Sequence, residues 1–204
     1  MGIKKVIETI KQEASALLGE ATKDTRFSSE HVYPNEQLAA EAFAQSVNKL
    51  FAVNGWSGLP GITSTFQLHD ADGQPKAAGG PVVGDYVRID LPGPTPENWV
   101  KIVAINSSDN QAEFTVRPSH NPQTATQEAR PVEHFFSSEA SSTFRVEQEG
   151  NRIIASEIGK NERINNDGDE AGDRPVINTL IAEGGWAYFQ RVQWKKLTDY
   201  LVHR

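Results

Sequence analysis

The chain has 204 residues, of which 37% are hydrophobic and 23% are charged, and it contains no cysteine. This length suits a single domain with its own core, and the lack of cysteine excludes thiol catalysis, disulfides, iron–sulfur clusters and thiolate zinc sites. The net charge is −7 and the lysines and arginines are scattered, so the sequence predicts neither a nucleic-acid-binding protein nor one that binds anionic membranes.

The N-terminal residues and the apolar runs predict a cytoplasmic protein. Lys4 and Lys5 are not followed by an apolar segment as long as a secretory signal requires. No apolar run approaches the roughly 20 residues that span a bilayer. We expect no cofactor, because the glycine-rich segment 79–84 lacks the Lys-Ser/Thr of a P-loop and Gly-x-Gly-x-x-Gly does not occur.

Two amphipathic helices are predicted in the first 55 residues. Apolar residues recur at helical spacing over residues 2–19 and again over 35–53, where Asn35 suits an N-cap. The polar stretch 20–33 between them predicts an irregular segment. The helix at 2–19 packs on the domain in the simplest interpretation, and the alternative is that it docks on a partner.

From Trp56 to about residue 165, apolar and polar residues alternate, which predicts strands. Seven segments are rich in β-branched or aromatic residues and bounded by turn residues: 62–68, 84–90, 98–105, 111–117, 131–136, 142–148 and 151–158. Three of them, within 84–117, predict successive antiparallel strands. Gly150 suits a hairpin turn between the last two. These segments favour a central antiparallel sheet, or a small SH3-like barrel, of about seven strands.

The C-terminal part begins with an acidic, glycine-rich loop at 164–175. A helical region follows at 176–202, which Gly184 and Gly185 are expected to break or bend. The sequence therefore predicts one α+β domain over 1–204. It comprises a helical part at 1–55, a mainly β part at 56–165, and an acidic loop with a C-terminal helix packed on the sheet at 166–204.

No catalytic motif is complete. Ser57 lies in Gly-Trp-Ser-Gly, but Leu59 stands where a serine elbow needs a second glycine, so we interpret Ser57 as a turn residue. An active site is best sought in segment 117–134, which gathers several ionisable residue types. The candidate catalytic residues there are His134, His120, Glu133 and Arg117. For His134, a half-buried structural role on its strand is the simpler interpretation.

Four aromatic residues are candidate ligand contacts. Tyr86 and Trp99 lie in the barrel-like segment, although a tryptophan there is also typical of a core. Trp186 and Phe189, together with Phe135 and Phe144, are placed to line an apolar pocket between the sheet and the C-terminal helix.

Two acidic turns are candidates for a calcium site. Asp167, Asp169 and Asp173 in the acidic loop resemble part of a calcium loop, as do Asp70 and Asp72. Both segments depart from the EF-hand pattern. We interpret them as solvated turns and expect no metal.

Three functional hypotheses follow. The preferred one is a non-enzymatic binding or assembly protein, self-associating or held in a larger protein particle through a terminal helix. It rests on the incomplete catalytic motifs and the amphipathic terminal helices. The second is a small-ligand binder with an apolar pocket beneath the C-terminal helix. The third is a hydrolase or isomerase that uses His134 with a carboxylate.

Overall fold

A computed structural model of the protein describes residues 23–90, 98–127, 138–162 and 185–203. The predicted helix at 2–19, the predicted strand at 131–136 and the acidic loop at 164–175 lie outside these ranges. The elements in chain order are β1 (Lys23–Val32), α1 (Glu36–Phe51), a 3-10 helix (Val53–Gly58), β2 (Thr65–His69), β3 (Tyr86–Asp90), β4 (Asn98–Ser107), β5 (Gln111–Ser119), a second 3-10 helix (Pro122–Gln127), β6 (Ser141–Glu149), β7 (Arg152–Glu162) and α2 (Gly185–Val202).

The strands form one seven-stranded sheet in the order β1-β7-β6-β5-β4-β3-β2. Every neighbouring pair is antiparallel. The predicted antiparallel sheet of about seven strands with helices is therefore confirmed. Within the described ranges the sheet has two edges, β1 and β2, so it does not close into the SH3-like barrel that was the alternative.

The prediction for residues 20–33 was wrong, because Lys23–Val32 form the ten-residue strand β1. Its sequence, KDTRFSSEHV, carries little of the apolar alternation that marks a half-buried strand. Its backbone hydrogen bonds come from β7, more than 100 residues away in the chain. A polar segment becomes a strand here because tertiary pairing overrides its local preference.

The helices begin and end where local signals place them. The Asn35 side chain accepts a hydrogen bond from the Leu38 amide at 2.9 Å, which caps α1. Helix α2 spans Gly185–Val202, and the first part of the predicted helical region, at 176–184, lies outside the described residues. No helix in the described ranges is long and apolar enough to cross a bilayer.

The two faces of the sheet differ in what covers them. Helix α2 packs on β1 and β7, α1 packs on β6 and β7, and the first 3-10 helix packs on β2. We call the face beneath these elements the inner face, and the opposite one the outer face. The core lies on the inner face, where Val146, Ile153 and Ala155 are fully buried.

Candidate functional site

One row of side chains on the inner face combines aromatic rings with a carboxyl group. Strand pairing places Glu157 of β7 between Phe27 of β1 and Phe144 of β6, with Phe114 of β5 next in the row. Phe144 and Phe114 are buried, and Phe27 is half-buried. A glutamate therefore occupies a position where the neighbouring strands carry phenylalanine.

Glu157 is completely buried, with 0% of its surface exposed. Neither carboxyl oxygen has a hydrogen-bond partner within the described part of the chain. The hydroxyl of Ser142 acts to lower the pKa of the carboxyl, against burial and the charge of Glu162, but it does not meet the geometry of a hydrogen bond. Buried polar groups in proteins are almost always paired, so an exception of this kind calls for a functional explanation.

A second glutamate reaches the same place through an irregularity in β7. Thr25 pairs with Gly159, but Lys23 pairs with Glu162, so β7 contains one extra residue between these two pairs. Asn161 accommodates it with a φ of 52°. Because side chains alternate between faces, this extra residue turns Glu162 to the inner face.

The carboxyl group of Glu162 lies over the backbone of Gly159. A Cβ atom at position 159 would overlap both Glu162 Oε1 and Thr25 Oγ1. The Thr25 hydroxyl donates a hydrogen bond to Glu162 Oε2 at 2.8 Å. Gly159 thus leaves the space in which the Glu162 carboxyl sits, and Glu162 is itself only 4% exposed.

Glu157 and Glu162 form an interior acid pair. Burial raises the pKa of Glu157 well above its ordinary value, and the charge of Glu162 raises it further. Two like charges in a poorly solvated place do not ionise together readily. Glu157 is therefore suited to hold a proton that an ordinary glutamate loses, and can donate it or accept a cation in its place.

Aromatic side chains form the apolar surroundings of this pair. Phe144, the neighbour of Glu157, has its ring centroid 5.1 Å from Trp56 of the first 3-10 helix and 5.4 Å from Trp194 of α2. Phe114 lies 5.3 Å from Phe144. The acid pair therefore borders the largest aromatic cluster of the described core.

The catalytic residues suggested by the sequence are only partly described. Arg117 is exposed on the outer face, opposite Lys101 of β4. His120 is half-buried and follows β5. Glu133 and His134 lie outside the described ranges, so their grouping with His120 stays a prediction.

Tyr86 and Trp99 both lie on the outer face, away from the acid pair. Trp99 is 3% exposed, and its ring meets the edge of His69 at a centroid distance of 4.7 Å. Tyr86 is half-buried, and Lys101 Nζ lies 5.2 Å from its ring centroid. Burial leaves Trp99 without the open ring face that a sugar or peptide platform needs.

The remaining candidates from the sequence are two aromatic residues and three aspartates. Trp186 and Phe189 belong to α2, but their side chains are outside the described part of the chain. Asp167, Asp169 and Asp173 are outside it as well. Among the described residues no group of three or more His, Cys, Asp or Glu side chains could hold a metal ion.

The segments around Ser57 and Asp70, which the sequence analysis interpreted as turns, make the local backbone hydrogen bonds that are typical of turns. Ser57 Oγ accepts from the Phe66 amide at 2.8 Å and donates to the Phe66 carbonyl at 3.1 Å. One carboxyl oxygen of Asp70 accepts from the amides of Asp72 and Gln74. These bonds occupy the Ser57 hydroxyl with backbone groups and close the Asp70 loop on itself.

Sequence reasoning missed both residues of the acid pair. For Glu157 a signal was present, because Ile153, Ala155 and Glu157 follow each other at every second position and so share one face of β7. A charged residue in phase with apolar ones marks a buried carboxyl. For Glu162 no such signal exists, because the extra residue in β7 breaks the alternation.

No family model and no curated protein matches the chain. Several solved structures resemble it at low identity. Norcoclaurine synthase from Thalictrum flavum, in complex with dopamine and hydroxybenzaldehyde, is 10% identical, with 91% of each chain covered and a TM-score of 0.45. A hypothetical protein from Helicobacter pylori is 10% identical, covering 91% of this chain and 92% of that one, with a TM-score of 0.46. The major latex-like protein of Panax ginseng is 14% identical, covering 79% and 96%, with a TM-score of 0.39. These likenesses are too distant to assign the chain to a family.

Proposed function

We propose that the protein binds a small molecule between the inner face of the sheet and α2, with Glu157 as its main polar contact. The observation that carries the proposal is the fully buried carboxyl of Glu157, neither oxygen of which has a hydrogen-bond partner among the residues that the structure describes. Burying an unpaired ionisable group costs several kcal/mol, even when the group is neutralised. Ionisable groups that are buried at such a cost in folding stability are concentrated at functional sites.

The surroundings of Glu157 support a binding role. Pockets for small molecules are mostly apolar, with a few polar groups that orient the ligand. Around Glu157 the apolar part is supplied by Phe144 and Trp194, and the polar part by Ser142, Thr25 and Glu162. Phe144 is also one of the residues from which the sequence predicted a pocket beneath the C-terminal helix.

The test compares wild-type protein with Glu157→Leu, which keeps a similar volume and removes the carboxyl. We expect Glu157→Leu to unfold at the same or a higher temperature, because an unpartnered buried group is replaced by an apolar one. A panel of small aromatic and alicyclic compounds is then screened by thermal unfolding. A ligand present at about 100 times its Kd adds about 2.7 kcal/mol, or roughly 5–10 °C for a chain of this size. Glu157→Leu is expected to lose that shift.

Glu113→Gln is the matched control. Glu113 is 9% exposed but lies on the outer face, where it accepts hydrogen bonds from Arg145 and Asn106. This variant should keep the ligand-induced shift. The proposal is wrong if Glu157→Leu is strongly destabilised, since the carboxyl would then have a structural partner. It is also wrong if no compound separates wild type from Glu157→Leu.

The two other functional hypotheses remain predictions. The assembly hypothesis depends on a terminal helix. The C-terminal helix α2 packs on β1 and β7, and the helix predicted at 2–19 lies outside the described residues. The hydrolase or isomerase hypothesis depends on His134, which also lies outside them. The same sequence therefore still allows a protein partner or self-association, which a mass measurement with and without residues 1–19 would test.

A further inference from the structure

Two positively charged side chains face each other on the outer face of the sheet. Lys101 of β4 and Arg117 of β5 are direct partners in the strand register, and both are exposed. We call them the cation pair. Like charges that stand directly opposite each other on neighbouring strands destabilise a sheet. In a chain with 27 acidic and 20 basic residues, such a pair calls for an explanation.

The other basic side chains that the structure describes on the strands each have a carboxylate oxygen within 4.0 Å. The pairs are Arg26 with Glu147, Arg88 with Asp90, Arg145 with Glu113, Arg152 with Glu30, and Lys160 with Asp24. Lys101 and Arg117 make neither an ion pair nor a hydrogen bond within the described ranges. No described residue therefore compensates the charges of the cation pair.

The neighbours of the cation pair are uncharged. Tyr86 of β3 lies opposite Lys101 in the register, and its ring holds Lys101 Nζ at 5.2 Å from the centroid. The positions two residues before and after each cation in its own strand carry Trp99, Val103, Thr115 and Ser119. These side chains add hydroxyl groups and apolar surface beside the cation pair, but no negative charge.

The charge and the donors of the cation pair match a phosphate group. A phosphate monoester carries close to two negative charges at neutral pH and three acceptor oxygen atoms. The guanidinium group of Arg117 presents N–H donors in a fork that fits phosphate oxygen atoms, and the ammonium group of Lys101 adds a point charge. A carboxylate carries a single charge and would neutralise only one of the two cations.

We propose that the outer face binds a small molecule through a phosphate monoester group, with the phosphate held between Lys101 and Arg117. This site is separate from the pocket proposed on the inner face, because the side chains of a sheet alternate between its two faces. In the free protein the two cations repel each other. A bound phosphate replaces that repulsion with two attractions, so the charges that weaken the free sheet favour the complex.

The test compares phenyl phosphate, benzoate and inorganic phosphate by calorimetric titration of the full chain at neutral pH. We expect phenyl phosphate to bind roughly tenfold more tightly than benzoate, which has the same ring but one charge. Inorganic phosphate should bind more weakly than phenyl phosphate, because it has no ring to pack beside Tyr86. Affinity for phenyl phosphate should fall as salt is added, since exposed charges are screened.

Variants of the cation pair separate a binding role from a structural one. Lys101→Gln and Arg117→Gln should each weaken phenyl phosphate binding roughly tenfold, and the double variant should abolish it. Without ligand, the double variant should unfold at the same or a higher temperature than wild type, because it removes the repulsion between facing charges. Lys160→Gln is the matched control: it removes a strand cation that is paired with Asp24, and it should leave phenyl phosphate binding unchanged.

Each possible contrary result overturns a defined part of the proposal. If benzoate binds as tightly as phenyl phosphate, the phosphate class is wrong. If inorganic phosphate binds as tightly as phenyl phosphate, the ligand is free phosphate and not a phosphorylated small molecule. The site itself is wrong if phenyl phosphate does not bind, or if its binding does not respond to the double variant. It is also wrong if the double variant unfolds at a lower temperature than wild type, since the cation pair would then have a structural role.

Discussion

At the scale of single residues, Glu157 shows how position decides chemistry. On an exposed strand face it would be one more solvated carboxylate in a chain with 27 acidic residues. On the inner face of β7, between two phenylalanines, it is fully buried and has no hydrogen-bond partner among the described residues. Desolvation then favours the neutral acid, which gives the carboxyl a proton to exchange.

This state of Glu157 predicts a measurable dependence of stability on pH. A carboxyl whose folded-state pKa lies above its unfolded value contributes its full stability below the unfolded pKa, and the contribution is lost as pH rises to the folded pKa. The unfolding free energy should therefore fall as the pH rises from 4.5, the ordinary pKa of glutamate, to the raised pKa of Glu157. The slope should approach about 1.4 kcal/mol per pH unit.

Urea denaturation of wild type and Glu157→Gln across pH 4 to 8, without ligand, measures this slope. The glutamine variant should lack it, so the difference between the two curves isolates Glu157. Two aspartates with lowered pKa values act in the opposite direction but are present in both proteins. The pKa of Asp24 is lowered by hydrogen bonds from Lys160 and from the amide of Asn161. Burial acts to raise the pKa of Asp199, but hydrogen bonds from Lys195 and Ser29 outweigh it. Parallel curves would show that Glu157 does not hold its proton.

At the scale of elements, the C-terminus of α2 is held by side chains from the preceding elements. Tyr33 donates to the carbonyl of Val202 at 2.8 Å, and Ser46 donates to that of Leu201 at 2.6 Å. Lys49 donates to the carbonyl of Tyr200 at 3.1 Å and to that of His203. The last carbonyl groups of a helix lack partners within the helix, so these bonds satisfy them and fix α2 against α1 and β1.

Ser46→Ala tests the contribution of this arrangement. The substitution leaves the buried Leu201 carbonyl without its donor, which should cost about 1–3 kcal/mol of unfolding free energy. Ser28→Ala, at an exposed position of β1, is the control and should stay within about 0.5 kcal/mol of wild type. Chemical denaturation gives both values, and equal values would mean that α2 does not depend on this bond.

At the scale of the whole molecule, the aromatic cluster joins the sheet to the elements that cover it. Phe144 of β6 contacts Trp56 of the first 3-10 helix, Trp194 of α2 and Phe114 of β5. The outer strand pairs β1–β7 and β2–β3 lie at opposite edges of the sheet. Removal of the Phe144 ring should therefore destabilise the whole structure and not a single hairpin.

Phe144→Ala should lower the unfolding free energy by about 3–5 kcal/mol, since it removes a buried ring and leaves a cavity. Val103→Ala, which truncates a side chain that is 40% exposed, should cost under about 1 kcal/mol. Circular dichroism and tryptophan fluorescence follow the unfolding of backbone and cluster. Their transitions should coincide if the aromatic cluster makes the sheet and the helices unfold as one cooperative unit. Separate transitions would contradict this view.

Elements whose signals are local could be predicted from the amino-acid sequence alone. The helix that begins after Asn35 and six of the observed strands follow from periodicity, capping and turn residues within short windows. The antiparallel character of the sheet followed from the same windows, since short connections join β3, β4 and β5. The apolar alternation of β7 also contained the position of Glu157, although its significance was missed.

β1 and the interior acid pair, in contrast, depend on contacts between distant parts of the chain. β1 is a strand because β7 pairs with it across more than 100 residues, and nothing in its own polar sequence requires that. Glu162 joins Glu157 because one extra residue in β7 reverses the alternation at its end. Local sequence encodes which dihedral angles a segment prefers, but the burial and charge of a side chain depend on partners that only long-range pairing brings into contact.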